Sequence, residues 1–222
     1  MMEDDEYDCC SQPVARPKCF SYAELIDLVE LRISDICEVF PMSRDQALDA
    51  LLAHRWNSTD FFLDEKTSPS TQSTLESCSI CFDSTSAVSS TTFCLHSACT
   101  FCWNQYLSLK ISEGESRIFC FAHKCTFPVY RSFLKNSVSP EIIAKHTRWV
   151  VESFVASNQL RWCPCCDLAV QIGCEKCACG FVFCWSCGRE PHKPASCEEA
   201  QLWLEKNSSE SENVAWILAN TK

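Results

Sequence analysis

CSICFDSTSAVSSTTFCLHSACTFCWNQYLSLKISEGESRIFCFAHKC, residues 78 to 125, is the most informative stretch of the chain. Its chemistry-bearing positions run Cys78-x2-Cys81, twelve residues, Cys94-x-His96-x2-Cys99-x2-Cys102, seventeen residues, and Cys120-x4-Cys125. Seven thiols and one imidazole in four close pairs fit two tetrahedral zinc sites. Zinc takes four sulfur or nitrogen ligands, and a C-x2-C step lets two thiolates reach one ion across a tight turn. Disulfide bonding is the competing use of such cysteines and needs an oxidising compartment. Met1 to Asp8 are acidic with no apolar run, unlike a secretory leader, so the thiols are expected to be reduced.

Toward the C-terminus a second group repeats the theme. It reads Cys163-x2-Cys166, ten residues, Cys177-x-Cys179, then Cys184-x2-Cys187-x4-His192-x4-Cys197, which is eight more ligands. Two thiols are surplus: Cys165 abuts Cys166, and Cys174 precedes Cys177 by three. Either could replace its neighbour without violating tetrahedral geometry. Between the groups Ser139 and Pro140 suit the N-cap and first position of a helix, with Ile142, His146, Trp149, Val150 and Phe154 on one apolar face.

On the other side, residues 1–18 carry five acids in the first eight positions, with Pro13 and Pro17, and read as a disordered acidic tail. From Ser21 the pattern turns helical. Ser21-x-x-Glu24 is a capping box ahead of Leu25, Leu28, Val29, Ile33, Ile36 and Phe40, and Pro41 stops that helix. Ser43-x-x-Gln46 opens a second helix with Ala47, Leu48, Leu51 and Leu52, and Asn57 can cap a short third one carrying Phe61 and Phe62. Residues 67–77, rich in Ser and Thr with Pro69, read as a linker. His54 has no second ligand at metal spacing and reads as an ordinary histidine.

Twenty cysteines in 222 residues mean either a disulfide scaffold or several metals. Nineteen Lys and Arg against 29 Asp and Glu give a formal charge of -10, the wrong sign for neutralising phosphates, so nucleic acid is not an expected partner. No run of about eighteen apolar residues is present, so no membrane span is expected. These features point to the cytoplasm or nucleus.

The single residue between Cys94 and His96, followed by two cysteines at steps of three, resembles a RING finger. That resemblance implies interleaved sites, with Cys78, Cys81, Cys99 and Cys102 on one zinc and Cys94, His96, Cys120 and Cys125 on the other. The run Cys177-Ala-Cys179-Gly180, with Phe183 before Cys184 and His192 beyond Cys187, resembles the in-between-RING (IBR) domain. There the sites are sequential: Cys163, Cys166, Cys177 and Cys179, then Cys184, Cys187, His192 and Cys197. Family spacing to Ala169 and Val170 favours Cys166, and the Cys-x-Cys-Gly match favours Cys179.

In order, the modules look like the N-terminal two-thirds of an ariadne-type RING-between-RING (RBR) ubiquitin ligase. The resemblance covers about residues 20–222. It implies small zinc-stabilised α+β modules: a three-helix ubiquitin-associated (UBA)-like bundle at 19–66, a cross-brace RING finger at 78–137, a linking helix at 138–162, an IBR zinc domain at 163–197 and a helical tail at 198–222. It also implies four zinc ions. The expected partners are a ubiquitin-charged conjugating enzyme, ubiquitin, and a ubiquitin-like modifier on a cullin for the helical module.

Family RINGs place the conjugating-enzyme contacts at Ile80, Trp103 and Phe121. Leu95, Ala98 and Phe121 depart from the usual Gly, aromatic and Pro. Thiolates closed on structural zinc cannot accept ubiquitin. Of Cys9, Cys10, Cys19, Cys37, Cys165 and Cys174, none sits in the family's acceptor motif, so no catalytic cysteine is assigned. The chain is expected to recruit the charged enzyme without completing transfer by the family route; a binding regulator of conjugating enzymes or ubiquitin is the alternative.

Overall fold

The computed structural model describes residues 18–57, 77–83, 88–90, 94, 96–173 and 176–220. They form two compact units, one spanning Tyr22–Leu160 and the other joining residues before Tyr22 to those from Arg161 onward.

In the Tyr22–Leu160 unit, α1 (Tyr22–Val39) buries Leu25, Val29, Ile33 and Ile36, the three-and-four spacing of one helix face. The next helix, α2 (Arg44–Ala53), begins at a complete capping box: the Ser43 hydroxyl accepts from the Gln46 backbone and the Gln46 side chain accepts from the Ser43 N–H. It buries Ala47, Leu48 and Leu51 against α1. The expected third helix, with Phe61 and Phe62, lies outside the described residues.

A hairpin follows, in which β2 (Val88–Ser90) pairs antiparallel with β3 (Ser97–Cys99), Val88 opposite Cys99. It leads into α3 (Thr100–Ser112), whose N-cap is Cys99: that thiol accepts the Cys102 N–H. Short α4 (Arg131–Ser137) and long α5 (Pro140–Ser157) complete the unit. Its core lies under α3, where Trp103, Leu107 and Ile111 are fully buried at four-residue steps beside Ile118, Val129 and Leu134. Trp103 meets Phe121 and Phe133 edge-on at centroid distances of 4.8 and 5.0 Å.

The helix pair is tied to the rest of this unit by specific polar contacts. Trp56, buried and left-handed at φ 64°, donates its indole N–H to Ser153 at 3.1 Å and meets Phe154 edge-on at 5.0 Å. Arg117 grips Asp49 with two bonds of 2.6 and 2.9 Å, and Glu30 accepts from Arg131 at 2.7 Å. Bidentate geometry between partly buried groups makes the Arg117 pair stronger than ordinary surface ion pairs.

His146 on α5 is 3% exposed. It donates from Nε2 to the Ser116 carbonyl at 3.0 Å, while Nδ1 has no hydrogen-bond partner. Burial holds its proton affinity below the ordinary imidazole value of 6.5, the Ser116 carbonyl opposing and Arg131 adding to the fall. Below about pH 6.5 the unfolded chain therefore binds a proton that the folded chain refuses, so stability falls with pH in that window. We expect the stability advantage of wild type over His146→Gln to shrink between pH 7.5 and 5.5. Denaturant unfolding of both proteins checks this, and a pH-independent difference would contradict it.

In the other unit, β1 (Cys19–Phe20), β4 (Leu160–Trp162) and β5 (Ala169–Gln171) form a sheet in the order β1-β5-β4. Cys19 and Phe20, read from sequence as the start of the helical bundle, instead lie opposite Val170 and Ala169. The reason is physical: Ala169 and Val170 are fully buried, and β1 supplies the strand that satisfies their backbone edge. Among the described residues a small apolar cluster of Cys163, Val170 and Cys177 lies here, flanked by Cys19, Leu168, Phe181, Phe183 and Trp185. Such a core is too small to hold a fold by itself. The last helix, α6 (Cys197–Asn220), starts one residue before the expected tail and is capped by reciprocal bonds between Ser196 and Glu199. Among the described residues no helix is long and apolar enough to cross a membrane.

Candidate metal centres

Among the described residues four groups of donor atoms converge, each with its members within 4.8 Å of one another: Cys78, Cys81, Cys99 and Cys102; Cys94, His96, Cys120 and Cys125; Cys163, Cys166, Cys177 and Cys179; and Cys184, Cys187, His192 and Cys197. The first two interleave along the sequence and the last two follow in series. Closest approaches between thiols are 3.7 Å for Cys81 and Cys99, 3.6 Å for Cys166 and Cys177, and 3.7 Å for Cys184 and Cys197. These are far beyond a disulfide bond of about 2.05 Å and leave room for one ion between four donors.

Local backbone explains how each group is presented. Three ligand loops are each closed by a backbone bond from their first cysteine. The Cys78 N–H bonds to the Asp83 carbonyl at 3.0 Å, Cys177 to Phe181 at 2.9 Å and Cys184 to Arg189 at 2.7 Å. In each turn one residue is left-handed: Phe82 at φ 59°, Gly180 at 88° and Gly188 at 75°. Glycine takes that conformation freely, whereas Phe82 is strained by about 1–2 kcal/mol. The hairpin puts Cys94 and His96 in its connecting loop and Cys99 at its end. Cys120 and Cys125 sit on a second loop, closed by the Cys120 N–H on the Phe127 carbonyl at 2.9 Å and shaped by left-handed Lys124.

Backbone N–H groups point at several of the sulfurs and favour their thiolates, while burial pushes the Cys102 and Cys120 thiols up. Burial opposes ionisation of Cys78, but the N–H groups of Cys81, Cys99 and Ile80 bring its thiol down to about 6. The Cys187 N–H, against burial and aided by Ser186, brings Cys184 down to about 6 as well. His192 donates from Nδ1 to the Ala195 carbonyl at 2.9 Å, which fixes the tautomer and turns Nε2 toward Cys187 at 3.3 Å. That carbonyl and the Cys187 thiol raise the imidazole to about 8.

Comparison with known proteins bears on the same residues. The family described as "IBR domain, a half RING-finger domain" matches residues 144–197, which begin on α5 and end at Cys197. The chain is 38% identical over 170 residues to the "Probable E3 ubiquitin-protein ligase ARI2" of Arabidopsis thaliana, covering 70% of this chain and 28% of that protein. It is 38% identical over 143 residues to the "Probable E3 ubiquitin-protein ligase rbrA" of Dictyostelium discoideum, covering 58% and 28%. Over these stretches the chain is similar to ariadne-type RBR proteins. A third member, ARI11 of Arabidopsis thaliana, is 29% identical and matches 98% of this chain and 46% of its own length. The chain thus spans between about a quarter and a half of the length of these ariadne-type relatives.

Against the ariadne-type expectation for the docking residues, the structure separates the three. Ile80 is 42% exposed on the first ligand loop, and Phe82 beside it is 80% exposed. Phe121 is half-buried against Trp103. Trp103 itself is fully buried and lies on no surface. It stands one residue past Cys102 on the inner face of α3, so its indole is consumed by the core. Ala98 is also fully buried, and Leu95 and Cys174 lie outside the described residues. Cys19 was not anticipated near a ligand group: its sulfur accepts the N–H of Ala178, between Cys177 and Cys179, at 3.3 Å. No local spacing announces that approach.

Proposed function

We propose that this chain takes part in protein ubiquitination as an RBR-type E3 ligase of the ariadne group, holding four zinc ions and docking a ubiquitin-charged conjugating enzyme on its first RING. One observation carries the reading: four ligand groups, two interleaved and then two in series, in the ariadne order along the sequence, two before α5 and two after it. Zinc is the ion we assign. With bonds of about 2.3 Å a tetrahedral thiolate site has edges of about 3.8 Å, and the 3.6–3.8 Å separations among the thiols fit it. The bound ions would fix the loops and leave no open coordination position, a structural use of the metal.

The residues then divide the work. Cys78, Cys81, Cys99 and Cys102 hold the loop from which Ile80 and Phe82 project as an apolar contact for the conjugating enzyme, with Phe121 at its edge. Trp103 packs against Phe121 from within the core. None of the sixteen ligands serves as the ubiquitin acceptor, since each sulfur is committed to an ion. The helical module is the surface we assign to a ubiquitin-like modifier on a cullin, and a reducing cytoplasm or nucleus is the setting that suits so many ligand thiols.

Ile80→Ala tests the docking assignment. It should weaken capture of a ubiquitin-charged conjugating enzyme by at least roughly tenfold, about 1.4 kcal/mol, because an exposed apolar anchor is lost at the centre of the contact. Calorimetric titration with the charged enzyme reads the effect, and the zinc content should stay unchanged. Undiminished binding would remove Ile80 from the interface.

A further inference from the structure

The Cys163 group holds more sulfur than one tetrahedral ion can use. At its base Cys163 and Cys177 are 5% and 1% exposed. Cys166 is half-buried and Cys179 is exposed. Cys165 is exposed too. Its backbone N–H donates to the Cys163 sulfur at 3.4 Å, and its thiol is within hydrogen-bonding reach of the Cys179 thiol. Two buried thiols therefore face three outer ones, while the ion takes four donors in all. Cys165 stands just outside the convergent four, beside their most exposed member.

We infer that Cys165 is a reserve ligand, able to take the coordination position of Cys179. The inference rests on the zinc assignment made above. Cys165 lies on the turn between Cys163 and Cys166, so both ends of its loop are held while the ion is bound. Rotation of one side chain moves its sulfur toward the ion, and a tethered donor competes for the vacant position as an intramolecular reactant. The site then tolerates loss of its most solvent-facing thiolate to a soft electrophile without releasing the metal. Coordination is conserved in the exchange: one Cys179 sulfur leaves, one Cys165 sulfur enters, and the proton of Cys165 passes to solvent.

The test uses the full chain and two readouts. Native mass spectrometry should count four zinc ions in wild type, one for each ligand group, and four in Cys165→Ser and Cys179→Ser alike. Cys163→Ser and the double variant Cys165→Ser/Cys179→Ser should each lose one ion. N-ethylmaleimide mapping should label Cys165 in wild type and find it protected in Cys179→Ser, a positional signature that reduced folding does not mimic. Loss of an ion from Cys179→Ser alone, equal labelling of Cys165 in both proteins, or a full complement in the double variant would overturn the inference. Fewer than four ions in wild type would overturn the zinc assignment itself, and this proposal with it.

Discussion

Cys184→Ser should remove one ion and collapse the fold around residues 184–197. Structural zinc contributes about 10–16 kcal/mol of apparent folding free energy in small peptides, and the apolar core of this unit is small beside that loss. Serine keeps the size but not the soft thiolate. Cys187, His192 and Cys197 would then face one another with three ligands and a misaligned fourth. The zinc count should fall by one, proteolysis should open the segment between Cys184 and Cys197, and the emission of neighbouring Trp185 should move toward that of a solvated indole. Unchanged metal content and unchanged thermal unfolding together would show that Cys184 is not a ligand.

Trp103→Ala should be nearly as damaging by a different route. Truncating a fully buried tryptophan leaves a cavity and costs about 3–5 kcal/mol, out of the roughly 5–15 kcal/mol that holds a typical domain. Here the indole touches the rings of Phe121, Phe133 and Tyr106, so its removal undermines three aromatic neighbours at once. A fall of roughly 6–20 °C in the melting midpoint follows for a domain of this size, measured with zinc in excess so that metal loss is not the cause. The milder Trp103→Phe should retain capture of the charged conjugating enzyme. Selective loss of capture in Trp103→Phe, with the midpoint unchanged, would restore Trp103 to the docking surface.

The ligand groups were legible because chelation constrains the chain: two residues between donors make a turn, and departures from that spacing stand out. The crossing of the first two groups came only from the resemblance, since no local rule pairs Cys81 with Cys99. The placement of Trp103 could have been read differently. Trp103, Leu107 and Ile111 repeat at four-residue steps, the mark of a buried helix face. A ligand neighbour taken by analogy as a surface contact hid that signal. The α2 capping box was readable because its two hydrogen bonds join residues three apart. By contrast β1 is two residues long, carries no periodicity, and finds its partner in a distant part of the chain. Pairings of that kind are set by tertiary burial and leave no trace in nearby residues.

That distant partner also imposes a schedule on biosynthesis. Cys19 emerges from the ribosome roughly 150 residues before Val170. At about 5–20 residues per second the wait is roughly 8–30 s. Until then the two-residue strand has no edge to join, and afterwards it covers the edge of β5 that faces away from β4. A chain clipped near residue 21 would carry Ala169 and Val170 with an open backbone edge, a template for pairing with another molecule. The opening residues of the sheet therefore act as a built-in plug delivered early and used late, and shortening the N-terminus would leave this edge open to self-association.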